Sequence, residues 1–183
     1  MSASTALDRM DRVAAQELRA ALAEVPTSVA AVGAMTENGP LSFIASTFVG
    51  ISLDPPIVSL SFQKSSQRWK ALQACQHVGV TILARHHGPR TRQLAASGAN
   101  NYDGLDVVTT DRGEVFIADG LRGFGCDLAQ VIDAGDHDIA LLHVDEIRAL
   151  NGSEPLVFHA SKFRRLAADH MTAADWLSAT EWH

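Results

Sequence analysis

Cysteine is nearly absent from this 183-residue chain: only Cys75 and Cys126 occur, far apart and in apolar settings. With no CxxC pair and no disulfide framework, both read as reduced core residues, as expected in a cytoplasmic protein. Positive charge is short as well. Fifteen Lys and Arg against 21 Asp and Glu leave a net charge of -6, which argues against nucleic acid or an anionic membrane as the main partner. No stretch approaches the roughly 18 to 20 uninterrupted apolar residues of a membrane helix. The first twelve residues carry Asp8, Arg9, Asp11 and Arg12 ahead of any apolar block, the wrong order for a secretory signal. The chain also lacks a P-loop, a GxSxG elbow and an HExxH pair, so nucleotide hydrolysis, serine hydrolase chemistry and a zinc-protease site have no support.

What is present is a chain long enough to bury one core without staples. Apolar residues at Leu7, Met10, Val13, Ala14, Leu18 and Leu22 recur every three or four positions. They predict an amphipathic helix within 1–24, capped by Ser4 or Thr5 and ended by Pro26. The period then shortens. Strands are expected over 28–36, 41–51 with a bend near Ser46, 57–62 and 77–84, with Glu37-Asn38-Gly39-Pro40 as a turn. Leu53-Asp54-Pro55-Pro56 is read as lying outside the sheet, because proline gives no ladder donor. Ser65 or Ser66 can cap a helix running to Gln76, with Trp69, Ala71 and Leu72 inward, and a second helix is expected over 89–96. Further strands are read over 105–109, 115–118, 121–134 and 139–150, joined by Asp111-Arg112-Gly113 and Gly135-Asp136-His137-Asp138. The tail over 167–183 reads as helical. Short strands with only a few helices between them predict a single mainly β domain, a barrel decorated by helices.

The segment from Ser42 to Trp69 concentrates Ser42, Ser46, Thr47, Ser52, Ser59, Ser61, Ser65 and Ser66 among apolar residues. Such hydroxyls suit the polar edge of a flat heteroaromatic ring, and a serine pair opening a helix suits a phosphate. The same residues serve equally as outward strand positions and helix caps. His86 and His87 are adjacent, so on a strand they would face opposite ways, and no metal site is expected. His137, in a polar turn between two long strands, is either a donor to a ligand edge or a surface histidine. Gly120-Leu121-Arg122-Gly123-Phe124-Gly125 reverses the dinucleotide fingerprint and opens a strand, so its glycines mark a bulge or a close approach.

From about Glu17 to Leu166 the chain resembles the short-chain flavin reductases, the reductase partners of two-component flavin-dependent monooxygenases. The residues that carry the resemblance are Val25-Pro26-Thr27-Ser28-Val29-Ala30, Ala45-Ser46-Thr47-Phe48, Ser52-Leu53-Asp54-Pro55-Pro56, Ser65-Ser66, Gly135-Asp136-His137 and Pro155-Leu156-Val157-Phe158-His159. The resemblance implies an antiparallel split β-barrel of FMN-binding type, Greek-key in topology and flanked by helices. It implies FMN or FAD as flavin, NADH or NADPH as hydride donor, a homodimer with its pocket near the two-fold interface, and a monooxygenase as recipient. Ala45, Ser46 and Thr47 would then lie along the flavin ring, Ser52 and Leu53 would continue that wall, and Thr27 and Ser28 would lie near the same pocket. Phe62, Lys64, Ser65 and Ser66 would surround the ribityl chain and phosphate, and His137 would place the nicotinamide. Leu83, Ala84 and Arg85 would add contacts beside two departures from the family pattern, Thr81 and His87; Ser28 for glycine and Phe124 for tryptophan are two more. A related split barrel that only carries a flavin, or oxidises a substrate with one, is the alternative.

Overall fold

The structure is a computed structural model and describes residues 13–96 and 101–166. The N-terminal helix is seen as α1, Ala15–Ala23; its expected Ser4 or Thr5 cap and the expected helical tail at 167–183 lie outside the described residues. Leu18 and Leu22 of α1 are more than half exposed, so its apolar side packs on none of the described core. The helix is held at its end, where the Ala160 N–H donates to the Ala23 carbonyl at 2.7 Å.

Among the described residues twelve strands follow: β1 Thr27–Ser28, β2 Ala30–Thr36, β3 Gly39–Ala45, β4 Val49–Leu53, β5 Pro56–Gln63 and β6 His77–Ile82, then β7 Val107–Thr109, β8 Val115–Ile117, β9 Arg122–Ala134, β10 His137–Ala149, β11 Val157–His159 and β12 Lys162–Arg164. Seven form an antiparallel sheet in the order β3-β2-β6-β9-β10-β5-β4, with β1-β11-β12 and β7-β8 as separate small sheets. The 13-residue strands β9 and β10 are the spine. One end of β9 pairs with β6, and the far end of β10 pairs with β5. Register shifts at Leu141/Leu142 and Val144/Glu146 supply the bend that lets the sheet curl. As a result β3 and β5, well separated in the ladder, meet in space. Phe43 packs edge-on against Phe62 with centroids 4.9 Å apart, and the Ser61 N–H donates to Thr47 Oγ1 at 2.9 Å. The outcome is an open, split barrel.

Strand β2 is buried almost throughout because it has a core on each face. Ala30, Val32 and Ala34 face the barrel interior with Leu60, Phe62, Trp69, Val80 and Leu142. Val29, just before the strand, and Ala31 face a second core with Leu83, Leu94, Val115, Ile117 and Leu156. Two-sided burial of a strand gives a continuous apolar run rather than alternation, which is what Ala30-Ala31-Val32-Gly33-Ala34 shows.

Several expectations are corrected. Pro56 lies inside β5 as its first residue, opposite Leu53, a position that needs no ladder donor. The second helix is shorter than expected, α2 Gln67–Gln73, with Trp69 and Leu72 buried but Ala71 exposed, since a residue two positions from Trp69 lies around the far side of the helix. Pro89 falls within a 3-10 turn, Arg85–Arg90, that precedes α3, Thr91–Ala95. Cys126 is buried, and burial pushes its thiol up to about 12; Cys75 is only partly buried. The glycines of 120–125 do mark close approaches, to Thr81, Phe116 and Glu114.

Candidate functional site

Three groups of sequence-predicted residues are each drawn together by backbone pairing. In the first, Thr27 and Ser28 lie opposite Phe158 and Val157. The Leu83 N–H donates to the Val29 carbonyl and the Leu156 N–H to the Leu83 carbonyl, both at 2.8 Å. Arg85 N–H donates to the Glu154 carbonyl at 2.8 Å, and its Nη1 donates to Glu154 Oε2 at 3.2 Å. Leu83 and Ala84 are fully buried and their N–H and carbonyl groups are paired within the protein, so they support the site rather than face a ligand. Arg85 lines two neighbouring clefts, one of about 470 Å³ with His86, Pro89, Ser153 and Glu154, the other of about 520 Å³ with Gly88, Leu156, Phe163 and Arg164.

The second group is Ala45, Ser46 and Thr47, at the end of β3. Ala45 pairs with Ala30, which pairs with Ile82, so this end of β3 shares one sheet edge with the first group. Thr47 crosses to Ser61 on β5. Ser52 sits opposite Ile57, while Leu53, at the tip of the β4–β5 hairpin, is 97% exposed and meets no described residue of the other groups.

The third group gathers at the tip of the β9–β10 hairpin. Gly135 adopts φ +69°, a left-handed conformation that lets Gly135-Asp136 make the whole turn. His137 is therefore the first residue of β10, paired with Ala134 and Gln63, and not a turn residue as the sequence suggested. Its Nδ1 is 2.8 Å from Asp136 Oδ1. The His137 hydrogen bond holds the Asp136 carboxyl below the usual carboxylate range. With Nδ1–H given to Asp136, Nε2 is an acceptor when the ring is neutral and a donor once it is protonated.

Two residues expected at a flavin phosphate are already engaged. Lys64 Nζ donates to Asp133 Oδ2 and to the Gly135 carbonyl, each at 2.6 Å, and so clamps the hairpin tip. Ser66 is the N-cap of α2, its Oγ accepting from the Trp69 N–H at 3.3 Å. Ser42 is likewise structural: fully buried, it donates from Oγ to the Leu94 carbonyl at 2.7 Å. Phe62 is inside the barrel, 2% exposed and stacked on Trp69 at 4.2 Å with planes 5° apart, so its ring fills the core. Ser46 and Ser65 are exposed, and their hydroxyls are not engaged by any described side chain or backbone group. They fit the polar edge of a flavin, whose carbonyls and ring nitrogens need neutral donors. Ser66→Ala is expected to cost about 1 kcal/mol of stability through the lost cap, whereas Ser65→Ala leaves the urea midpoint within error and weakens flavin binding. A Ser65→Ala variant that binds flavin as wild type does would remove Ser65 from the site.

The sequence reading missed one cluster. His86 and His87 lie on a 3-10 turn rather than a strand, so their rings face the same way, 4.1 Å apart. Both reach Asp119: His86 Nε2 is 2.7 Å from Oδ2 and His87 Nε2 is 2.8 Å from Oδ1. Burial raises the Asp119 carboxyl, but these two bonds bring it below its ordinary range. Together the three residues have metal-like spacing. However, His87 Nδ1 accepts the Ala84 N–H at 3.1 Å. That puts the ring proton on Nε2, the atom that would have to bind an ion. The cluster ties the Ala84–Arg85 backbone to the β8–β9 corner.

An open antiparallel barrel of this topology is the split-barrel class of the flavin reductases. Within it, the chain belongs to the flavin reductase like domain family, whose model matches residues 22–167. It is 32% identical over 152 residues to the FMN reductase (NADH) SmoA of Agrobacterium fabrum, covering 83% of this chain and 86% of that one. It is 30% identical over 154 residues to a flavin reductase of Pseudomonas putida, covering 84% and 91%. Among solved structures, the Streptomyces globisporus C-1027 NADH:FAD oxidoreductase SgcE6 in complex with NAD and FAD fragments superposes with a TM-score of 0.80 at 25% identity, covering 88% of this chain and 100% of that one.

Proposed function

We propose that this protein is an NAD(P)H-dependent flavin reductase that passes hydride to FMN or FAD and supplies the reduced flavin to a flavin-dependent monooxygenase. The observation that carries the reading is the family match across residues 22–167, supported by relatives named for this activity. A bound flavin supplies the redox chemistry, taking two electrons as hydride from the dihydronicotinamide. The chain supplies placement. Ser46 and Thr47 border the ring edge, and Ser28, two residues before Ala30, the partner of Ala45, stands near them. Ser65, exposed just before α2, takes the phosphate end, and Arg85 lines a separate cleft with His86, Pro89, Ser153 and Glu154. His137, oriented by Asp136, presents Nε2 to the nicotinamide. Hydride transfer needs no acid or base from the protein once donor and acceptor atoms lie about 3 to 3.5 Å apart.

We also assign a homodimer. The exposed apolar residues Leu18 and Leu22 of α1, with Val49, Ile51 and Leu53 on the unpaired edge strand β4, fit burial against a second copy. Two free thiols fit a reducing, cytoplasmic setting.

Purified protein mixed with FMN or FAD and with NADH or NADPH should consume the reduced nicotinamide, followed by its absorbance. No consumption above the flavin-only rate with either donor would overturn the reading; flavin binding without turnover would identify a carrier. His137→Ala should slow reduction roughly ten- to hundredfold, the range expected when a substrate loses its placement, while flavin affinity stays within twofold. The opposite pattern would give His137 a structural role.

A further inference from the structure

We propose that Trp69 is a positioning residue for His137, acting through Asp138; the inference rests on the reading of His137 given above. The hairpin tip has little packing of its own. Asp133, Gly135 and Asp136 are exposed, and a two-residue turn at the end of a long ribbon is the part of a hairpin most free to sway. Its position is set from the β5–α2 connection instead. The Lys64 N–H donates to the Asp136 carbonyl at 3.1 Å, and the Lys64 ammonium holds Asp133 and Gly135. On the other side of His137, Trp69 Nε1–H donates to Asp138 Oδ2 at 2.8 Å. Both chain neighbours of His137 are therefore gripped.

The Trp69 grip differs in kind from that of Lys64. Lysine is a long flexible chain reaching over the surface. The indole is 3% exposed, stacked flat on Phe62, and carried on a helix whose first turn is capped by Ser66. Its N–H is thus aimed by the barrel core. Phe62 and Asp138 are also paired across β5 and β10, so ring and carboxylate stand on the same face of the sheet. A hydrogen bond to an ionised, partly buried carboxylate is among the stronger and more directional ones. Core packing at Phe62 and Trp69 thereby fixes Asp138, and Asp138 fixes the backbone from which the His137 ring projects.

The test compares Trp69→Phe, Asp138→Asn and Asp138→Ala in the full chain with FMN and NADH. Trp69→Phe keeps an aromatic ring on Phe62 and removes only the N–H. It should raise the KM for the nicotinamide about five- to tenfold, with kcat and the Kd for FMN within twofold of wild type. Asp138→Asn keeps an acceptor for the indole and should behave as wild type. Asp138→Ala should match Trp69→Phe, and the Trp69→Phe/Asp138→Ala double variant should be no worse than either single change. A Trp69→Phe protein with a lower melting temperature and unchanged kinetic constants would overturn the proposal. So would Asp138→Asn as damaging as Asp138→Ala, or effects that multiply in the double variant. Should Trp69→Phe fail to fold, the Asp138→Asn and Asp138→Ala pair still decides. His137→Ala separates this from the parent reading. If that variant is silent, the assignment of His137 falls; if it is damaged while the Trp69 and Asp138 variants are silent, only the positioning role falls.

Discussion

Replacing Phe62 with alanine is expected to cost the fold about 3 to 5 kcal/mol, the range for deleting a buried aromatic side chain. The reasons are specific to this ring. It is 2% exposed, stacks on Trp69 at 4.2 Å, and meets Phe43 edge-on at 4.9 Å. Phe43 stands on β3 and Phe62 on β5, strands that no ladder joins directly, so the pair is part of what keeps the barrel curled. Truncation would leave Trp69 with one face unsupported and would open a void that strands bound on both sides cannot collapse into. Urea denaturation followed by tryptophan fluorescence measures the loss. Phe62→Leu, which keeps most of the volume, should cost less than about 1.5 kcal/mol and leave flavin affinity unchanged. Weaker flavin binding by a folded Phe62→Leu protein would return Phe62 to the pocket wall, where the sequence resemblance had put it.

Phe62 illustrates what a sequence can and cannot disclose. Alternation and turn residues were sufficient for the barrel. The turn after β2, tightened to Glu37-Asn38 with Gly39 and Pro40 already in β3, the apolar faces of β5 and β6 and the long hairpin all stand near their expected positions. The family resemblance joined segments that the fold brings close, because Ala45 pairs with Ala30, two residues after Ser28. Three things were not legible. Whether a polar side chain is free depends on partners far away in sequence: Lys64 is bound to Asp133, 69 residues on, and Ser42 to Leu94, 52 residues on. The direction of a side chain depends on the local backbone. His86 and His87 diverge on a strand but converge on Asp119 from a 3-10 turn, and His137 leaves the turn once Gly135 takes a positive φ. Finally, the face that a strand residue occupies is ambiguous where both faces are covered. That is why Thr81, a departure from the family pattern beside a predicted binding segment, gave no hint of its true surroundings.

Those surroundings make Gly120→Ala the second severe substitution. Thr81 is fully buried, and its Oγ1 accepts the Ile117 N–H at 3.1 Å. That bond holds χ1, so the methyl group cannot swing aside without orphaning a buried donor. A Cβ on Gly120 would lie 2.2 Å from Thr81 Cγ2, 3.1 Å from Leu150 Cδ1 and 3.2 Å from the Ile117 carbonyl oxygen. Nor can the glycine retreat. Its N–H donates to the Ile117 carbonyl at 3.1 Å, and its own carbonyl accepts the Gly152 N–H at 2.8 Å. Overpacking of this kind costs about 1 to 3 kcal/mol or somewhat more, and Gly120→Ala should fall at the upper end. Thr81→Ser keeps the hydroxyl and removes the obstructing methyl. Alone it should cost about 0.5 to 1.5 kcal/mol, as for other single buried methyl deletions. Combined with Gly120→Ala it should restore part of the stability, so that the double variant is more stable than the sum of the two losses predicts. Strictly additive losses in urea denaturation would show that the strain at this corner is relieved elsewhere, and that Thr81 and Gly120 are not matched. The matched pair also bears on the site. Asp119, next to Gly120, anchors His86 and His87, and through them the backbone at Ala84 and Arg85. A distorted corner should therefore weaken flavin binding in Gly120→Ala, and the double variant should regain affinity in step with stability.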